Sequence, residues 1–305
     1  MVPSGITRRA HRRTLRATPY LLIAPALVLV FGLLLYPVIR AMVLSFSNYV
    51  LIGTTPFKWV GLANYIKLLE PGSEFLKSTS VTLRYALADI VCELTIGMAL
   101  ALLLNRDFWG RGFFRVAILI PMMVPSLSSG LIWKYMYDDM FGIIPFILRQ
   151  LGAHPPVFLS DTHLTLYALV ATEVWRGSPF MILVLLAALQ AVPQDLEEAA
   201  RVDGANNLQV FLNVTLPSIV PAMLIALLFR TVDALRTFDL VYALTGGGPG
   251  ATTEVVSLFI YNRGLSTFKL GFASAASVLL LLATLALCAI YLRSMAKRQA
   301  AMVGG

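Results

Sequence analysis

Eight charged side chains fall at helical spacings inside stretches that are otherwise apolar. Asp89 and Glu93 are four residues apart, Glu173 and Arg176 three, and Arg230, Asp233, Arg236 and Asp239 follow one another at intervals of three. Residues four apart share a helix face, and opposite charges three apart pair across one turn. Three residues turn an α-helix through about 300°, so the alternating series winds slowly round its helix. Two uses suit such groups. They can neutralise one another and lock helices together, or they can line a polar path where a hydroxyl-rich solute finds donors and acceptors beside flat aromatic faces. Trp175, beside Arg176, and Tyr242, one turn beyond Asp239, supply such faces. The residues considered for the path are therefore Asp89, Glu93, Glu173, Trp175, Arg176, Asp233, Arg236, Asp239 and Tyr242.

Covalent and metal chemistry find no such support. His11, His154 and His163 are the only histidines, and all lie outside the apolar stretches. No HExxH or paired-cysteine zinc pattern occurs. Cys92 and Cys288 both sit in apolar runs and imply no disulfide framework. The glycine-rich Gly246–Gly250 lacks the Lys-Ser/Thr of a phosphate-binding loop and reads as a turn that ends a helix. The expectation is no catalytic residue, no metal and no cofactor in this chain.

The elements that must hold these charges follow from composition. Hydrophobic residues are 58% of the 305 and charged residues 13%, with a mean hydropathy of +0.78. Globular chains carry about 25% charge. A membrane helix takes about 20 mostly apolar residues, and six stretches meet that need: Tyr20 to Ile39 or on to Phe46, then 82–104, 113–136, 164–191, 218–244 and 272–292. The first is too long for the core of a signal peptide and reads as a retained anchor. Pro121 and Pro125 break the third, and broken helices are tolerated where they line a cavity or face protein. The fold class is all-α: a polytopic membrane protein with about six spans. A basic tail over 1–19, a single membrane domain over 20–292 and a short tail over 293–305 complete it.

Orientation follows from the short loops. With the N-terminus in the cytoplasm, the inner segments hold twelve basic residues, including Arg8, Arg9, Arg12, Arg13 and Arg16, against seven outside. Both termini are then cytoplasmic. The same bias accounts for the net charge of +8: the arginines abut the first span, where an anionic inner leaflet attracts them, so no nucleic-acid partner is implied.

The loop over 193–217 lies on the cytoplasmic side between the fourth and fifth spans. Pro193 ends the fourth span, Asp195 with Glu198 resembles a capping box, and Gly204 suits the left-handed position past a helix end. These bound a helix over Leu196–Asp203 of about two turns, too short to be stable unless it packs on something. A second short helix follows, capped by Asn206 or Asn207 with Gln209 as box partner. It carries Val210, Phe211 and Val214 toward Leu216 and Pro217.

This loop resembles the signature of ABC-importer permeases, E-A-A-x-x-x-G, nine residues, then I-x-L-P. Here Glu198, Ala199, Ala200, Gly204, Val214, Leu216 and Pro217 match, with valine in place of isoleucine. Asp203 and Ala205 complete the common DGA form. "WVGLANYIKLL" from Trp59, "FGIIPFILRQLG" from Phe141 and "FDLVYALTGGGPGATTE" from Phe238 are similar to other segments of carbohydrate-uptake permeases of the maltose and glycerol-3-phosphate type. The last is typical of one of their two permease subunits, the larger in the maltose system. The similarity covers about residues 20 to 292. It implies a permease subunit that does no bond chemistry, in a bacterial or archaeal cell membrane, moving a carbohydrate-like solute inward by alternating access. It implies as partners a second, homologous permease in a heterodimer, two ATPase subunits that bind the ATP and Mg, and an extracytoplasmic solute-binding protein. It assigns ATPase coupling to Glu197, Glu198, Ala199, Ala200, Asp203, Gly204, Leu216 and Pro217, with Glu198 as the family's partner for an ATPase arginine. The large periplasmic insertion of some relatives is missing, so contacts to a binding protein use short loops. A stand-alone ion-coupled carrier would have no use for the docking helix, and a membrane enzyme would need a constellation this sequence lacks.

Overall fold

The computed structural model describes residues 22–53 and 56–303. The basic cluster from Arg8 to Arg16 and the start of the first span at Tyr20 lie outside the described residues. Helices α1 (Leu22–Leu44), α3 (Glu74–Asn105), α7 (Leu164–Gln190), α9 (Asn207–Leu235) and the apolar part of α12 (Leu270–Val303) are each long and apolar enough to cross a membrane. A sixth span is the bent pair α4 (Arg111–Leu119) and α5 (Ser126–Met136). Short helices α2 (Ala63–Leu69), α6 (Ile143–Gln150), α8 (Gln194–Val202), α10 (Asp239–Leu244) and α11 (Val256–Tyr261) join them.

Local chemistry accounts for most ends and breaks. Asp161 accepts from the backbone N–H groups of His163 (2.7 Å) and Leu164 (3.1 Å), tying off donors at the start of α7. Those bonds hold its carboxyl below the usual carboxylate range. Prolines reshape three spans. The third is not one rod: α4 passes through a 3-10 turn at Ile120–Met123, and the axis bends 97° around Pro121 and Pro125. In α1 and α9 a π turn, Phe31–Leu35 and Phe211–Thr215, stands just before Pro37 and Pro217. Proline has no N–H and crowds the carbonyl four residues back, and the widened turn absorbs both effects.

The described residues divide into two compact units. The first comprises the chain up to Tyr65 together with Arg263–Val278. The Asn64 amide donates to the carbonyls of Ser45 and Ser47, both at 2.8 Å, and Leu51 N–H donates to Phe268 C=O at 2.9 Å. None of the most apolar stretch of α1 is buried, as expected of a helix that faces lipid.

The second unit comprises Ile66–Asn262 and the described residues from Leu279 on. Its centre is α7, 67% of whose most apolar stretch is buried. Helix α3 runs along it, and α9 packs on both. At Gly97 a Cβ would lie 2.6 Å from Met181 Cγ, so glycine there allows α3 and α7 their close approach. Two apolar clusters form. One gathers Tyr85, Leu169, Ala234 and Leu244, the other Ala101, Met181, Leu185 and Ile219. Along α3, α7 and α9 alike, the charged positions fall between the two.

Three expectations are corrected here. The second span is longer than 82–104, because Ser73 accepts from Leu76 N–H and starts α3 at Glu74. The fifth span does not run unbroken over 218–244: α9 ends at Leu235 and α10 starts at Asp239. Between them Phe238 leaves helical geometry and packs on Tyr261 and Tyr242, with ring centroids 5.0 and 5.4 Å away. The second short helix of the 193–217 loop is not separate either. It forms the first turns of α9, a continuous helix of 29 residues.

Candidate functional site

A charged layer lies between the apolar clusters, and its hub is Arg230 on α9. Its Nε donates to Glu93 Oε2 at 2.5 Å, and its Nη2 donates to Glu93 Oε1 at 2.5 Å and to Glu173 Oε1 at 2.8 Å. Asp89 Oδ2 and Asp233 Oδ2 each stand 3.5 Å from the same guanidinium. Arg176 closes the network by a two-point pair with Glu173, one arm of which is Nε to Oε2 at 3.1 Å. Asp89, Glu93, Glu173 and Arg230 are all buried. Gly177 makes room for this: any Cβ there would fall on Glu93 Oε1 and the Arg230 guanidinium. The carboxylates of Asp89, Glu93 and Glu173 come within 4.8 Å of one another, a spacing a cation would suit. Here the Arg230 guanidinium supplies the positive charge.

The layer opens on one side into a polar cavity of about 330 Å³. Glu173, Arg176, Asp233, Arg236 and Asp239 line it with Ser126, Thr237 and Phe238. Asp233, Arg236 and Asp239 are exposed, whereas Glu173 is buried at the cavity's inner wall. The cavity therefore presents carboxylates and guanidinium groups together, the donors and acceptors a neutral polyhydroxylated solute needs. Beside it, Phe238, Tyr242 and Tyr261 form an aromatic trio, the first two nearly parallel at 22°.

The structure thus brings Asp89, Glu93, Glu173, Arg176 and Asp233 into one network and sets Arg236 and Asp239 on the cavity wall. Trp175 is elsewhere. It stacks edge-on against Trp133 at 5.5 Å and lines an apolar groove with Cys92, Ile96 and Tyr167. Tyr242 stands next to the cavity without lining it. Sequence reasoning placed Arg230 in the charge series and Ser126 after the break in the third span, but named neither among the path residues, and it named neither Thr237 nor Phe238 there. One signal pointed to Arg230: two acids on one face of α3 need a cation, and it is the only basic residue in Leu216–Leu235.

At the other end of α9 lies α8. The structure corrects its start, since Pro193 rather than Asp195 occupies the N-cap position and no side chain caps it. Asp195 sits in the first turn instead, where its charge favours the helix N-terminus. The far end is as expected. Gly204 takes φ +88, Ala205 N–H donates to Ala200 C=O and Gly204 N–H to Arg201 C=O, both at 3.0 Å. That is a Schellman closure. Asn206 then caps α9 in a reciprocal box with Gln209. The two glutamates differ in setting. Glu197 accepts from Thr215 Oγ1 at 2.8 Å and pairs with Arg201 at 3.3 Å, which ties α8 to α9. Glu198 is exposed, as are Ala199 and Asp203, and no residue of α8 is buried.

Comparison with known proteins places these features in context. The family described as binding-protein-dependent transport system inner membrane component matches residues 93–299. The trehalose/maltose transport system permease protein of Thermococcus litoralis is 40% identical over 276 residues, covering 90% of this chain and 92% of the relative. The sulfoquinovosyl glycerol transport system permease protein of Agrobacterium fabrum is 34% identical, covering 91% and 90%. Among solved structures, a chain of a bacterial ABC transporter involved in alginate import has a similar fold. Its TM-score is 0.81 at 21% identity, and the match covers 95% of this chain and 99% of that one.

Proposed function

This chain belongs to the binding-protein-dependent transport system inner membrane component family, and from that premise we propose that it is the permease subunit of an ABC importer carrying a sugar or sugar-like solute inward. It is a multi-pass membrane protein of a non-catalytic type. The observation that carries the reading is α8: a nine-residue helix with no buried residue, closed by a Schellman turn and tethered through Glu197 to α9. A helix that short does not persist for its own sake, so its bare outer face, with Glu198 exposed, is a surface suited to a partner.

The partners are two cytoplasmic ATPase subunits, which bind the ATP and Mg, a second homologous permease and an external solute-binding protein. In this arrangement α8 and both termini lie in the cytoplasm of a bacterial or archaeal cell. Leu216 and Pro217 belong to the root of α9 rather than to the docking face. Helix α9 is about 42 Å long, starts one turn after α8 and ends at Leu235, between Asp233 and Arg236 on the cavity wall. A tilt imposed on α8 by nucleotide-driven closure is therefore carried along α9, through the joint at its π turn, to the cavity wall. ATP and the loaded binding protein must each bind one orientation better than the other to drive the cycle.

The test replaces Glu198 with lysine and measures solute uptake in vesicles and co-purification of the ATPase. Loss of either, with membrane insertion intact, is expected. Full uptake with normal ATPase retention would refute docking at α8.

A further inference from the structure

A third cavity, of about 210 Å³, lies between the ends of α3 and α7 and the second half of α4. Most of its wall is aliphatic, including Ile118, Leu183 and Leu186, and Arg115 is its one charged residue. The Arg115 guanidinium is poorly served there. Nη2 donates to the Leu104 carbonyl at 3.3 Å, while Nε is buried and lacks a hydrogen-bond partner among the described residues. A buried donor without an acceptor is unusual in a folded protein, and an apolar wall makes an unpaired cation there costlier. The chain leading into α4 points the same way. Arg106, Arg111 and Arg115 fall within ten residues, and among the described residues only Arg111 has an acidic partner, Asp107. Between them Trp109 is 98% exposed and Phe113 73% exposed. Exposed aromatics beside arginines mark the level where lipid headgroups meet acyl chains. Helices α3 and α7 both end at this level, on the side of the membrane that carries α8.

We infer that this pocket binds one anionic membrane phospholipid, its headgroup phosphate on Arg115 and its acyl chain along Ile118, Leu183 and Leu186. A guanidinium pairs with phosphate by charge-assisted hydrogen bonds, which satisfies the orphan Nε. The aliphatic wall accepts a hydrocarbon chain, which a free phosphate ion or an acidic protein loop would leave unfilled. The inference needs only that the chain spans a membrane. It does not depend on which solute is carried.

The experiment purifies the assembled transporter from membranes, exchanges it into nanodiscs of phosphatidylcholine with one-fifth phosphatidylglycerol, and counts retained lipids by native mass spectrometry. Wild type is expected to keep one phosphatidylglycerol at about tenfold or greater occupancy over phosphatidylcholine. Arg115→Met should abolish that preference. Leu183→Trp, which fills the chain-binding wall and leaves the charge, should lower occupancy as well and so separates lipid loss from misfolding at Arg115. Excess inorganic phosphate should not displace the lipid. Equal phosphatidylglycerol retention in wild type and both variants would overturn the inference. So would displacement by phosphate alone, or a crosslink from position 115 to an ATPase subunit in place of lipid.

Discussion

Arg230 decides the character of the charged layer. Three buried carboxylates surround it, and it makes two of its closest bonds to one of them, Glu93. Removing one partner of a buried ion pair strands the others, at a cost of about 3–5 kcal/mol, while replacing both by apolar groups is often neutral. Arg230→Met should therefore destabilise the protein by about that amount in thermal unfolding of the detergent-solubilised chain. Pairing it with Glu93→Met should recover part of the loss, the coupling expected of residues in one network. A double variant no more stable than the single one would mean that Arg230 is not held chiefly by Glu93. Gly177 belongs to the same argument. Its missing Cβ is the space the guanidinium occupies, so Gly177→Ala should cost about 1–3 kcal/mol through overpacking. An unchanged melting temperature would show that the layer yields more easily than its packing implies.

Among elements, α8 and α9 act as a pair. Two devices set the angle between them: the positive-φ turn at Gly204 and the Asn206–Gln209 box. Valine at 204 must either enter the left-handed region, at roughly 1–2 kcal/mol, or shift the turn. Gly204→Val is thus expected to leave the spans inserted and to reduce ATPase stimulation by substrate several-fold, read on reconstituted transporter. Normal stimulation would show that the angle of α8 tolerates change. Pro217 has an effect one turn further on, where the π turn over Phe211–Thr215 precedes it. The Thr215 hydroxyl that bonds Glu197 lies in that widened turn, so the proline and the tether are parts of one joint.

For the whole molecule the question is which polar groups meet the solute. Arg236 and Asp239 line the cavity, are exposed and belong to no ion pair among the described residues. Their loss should leave folding intact and change uptake. A hydrogen bond to a charged group contributes about 1.5–3 kcal/mol, so Arg236→Ala or Asp239→Ala should raise the apparent KM for uptake by about tenfold or more. Unaltered KM with normal assembly would move the solute path away from this cavity. Trp175→Ala, in the apolar groove, should leave KM near wild type and so serves as the contrast.

How much of this was legible beforehand depended on the range of the interaction. Local rules found the spans, the Schellman glycine at 204, the Asn206 box and the pairing of Glu173 with Arg176, because each is decided within a few residues. The same rules misplaced the start of α8, where a proline at the N-cap position displaced Asp195, and they ran the fifth span through Phe238. Periodicity carries a helix onward until something distant stops it, and here that is Tyr261, 23 positions along the chain. Composition and charge spacing alone determined that this is a polytopic helical protein with acids and arginines inside its bundle. Only the tertiary structure decided that Arg230 neutralises acids from α3 and α7, that Arg236 and Asp239 face a cavity, and that Trp175 turns away from it. Those outcomes depend on how three helices rotate about their axes, and that rotation is set by packing between residues far apart in sequence.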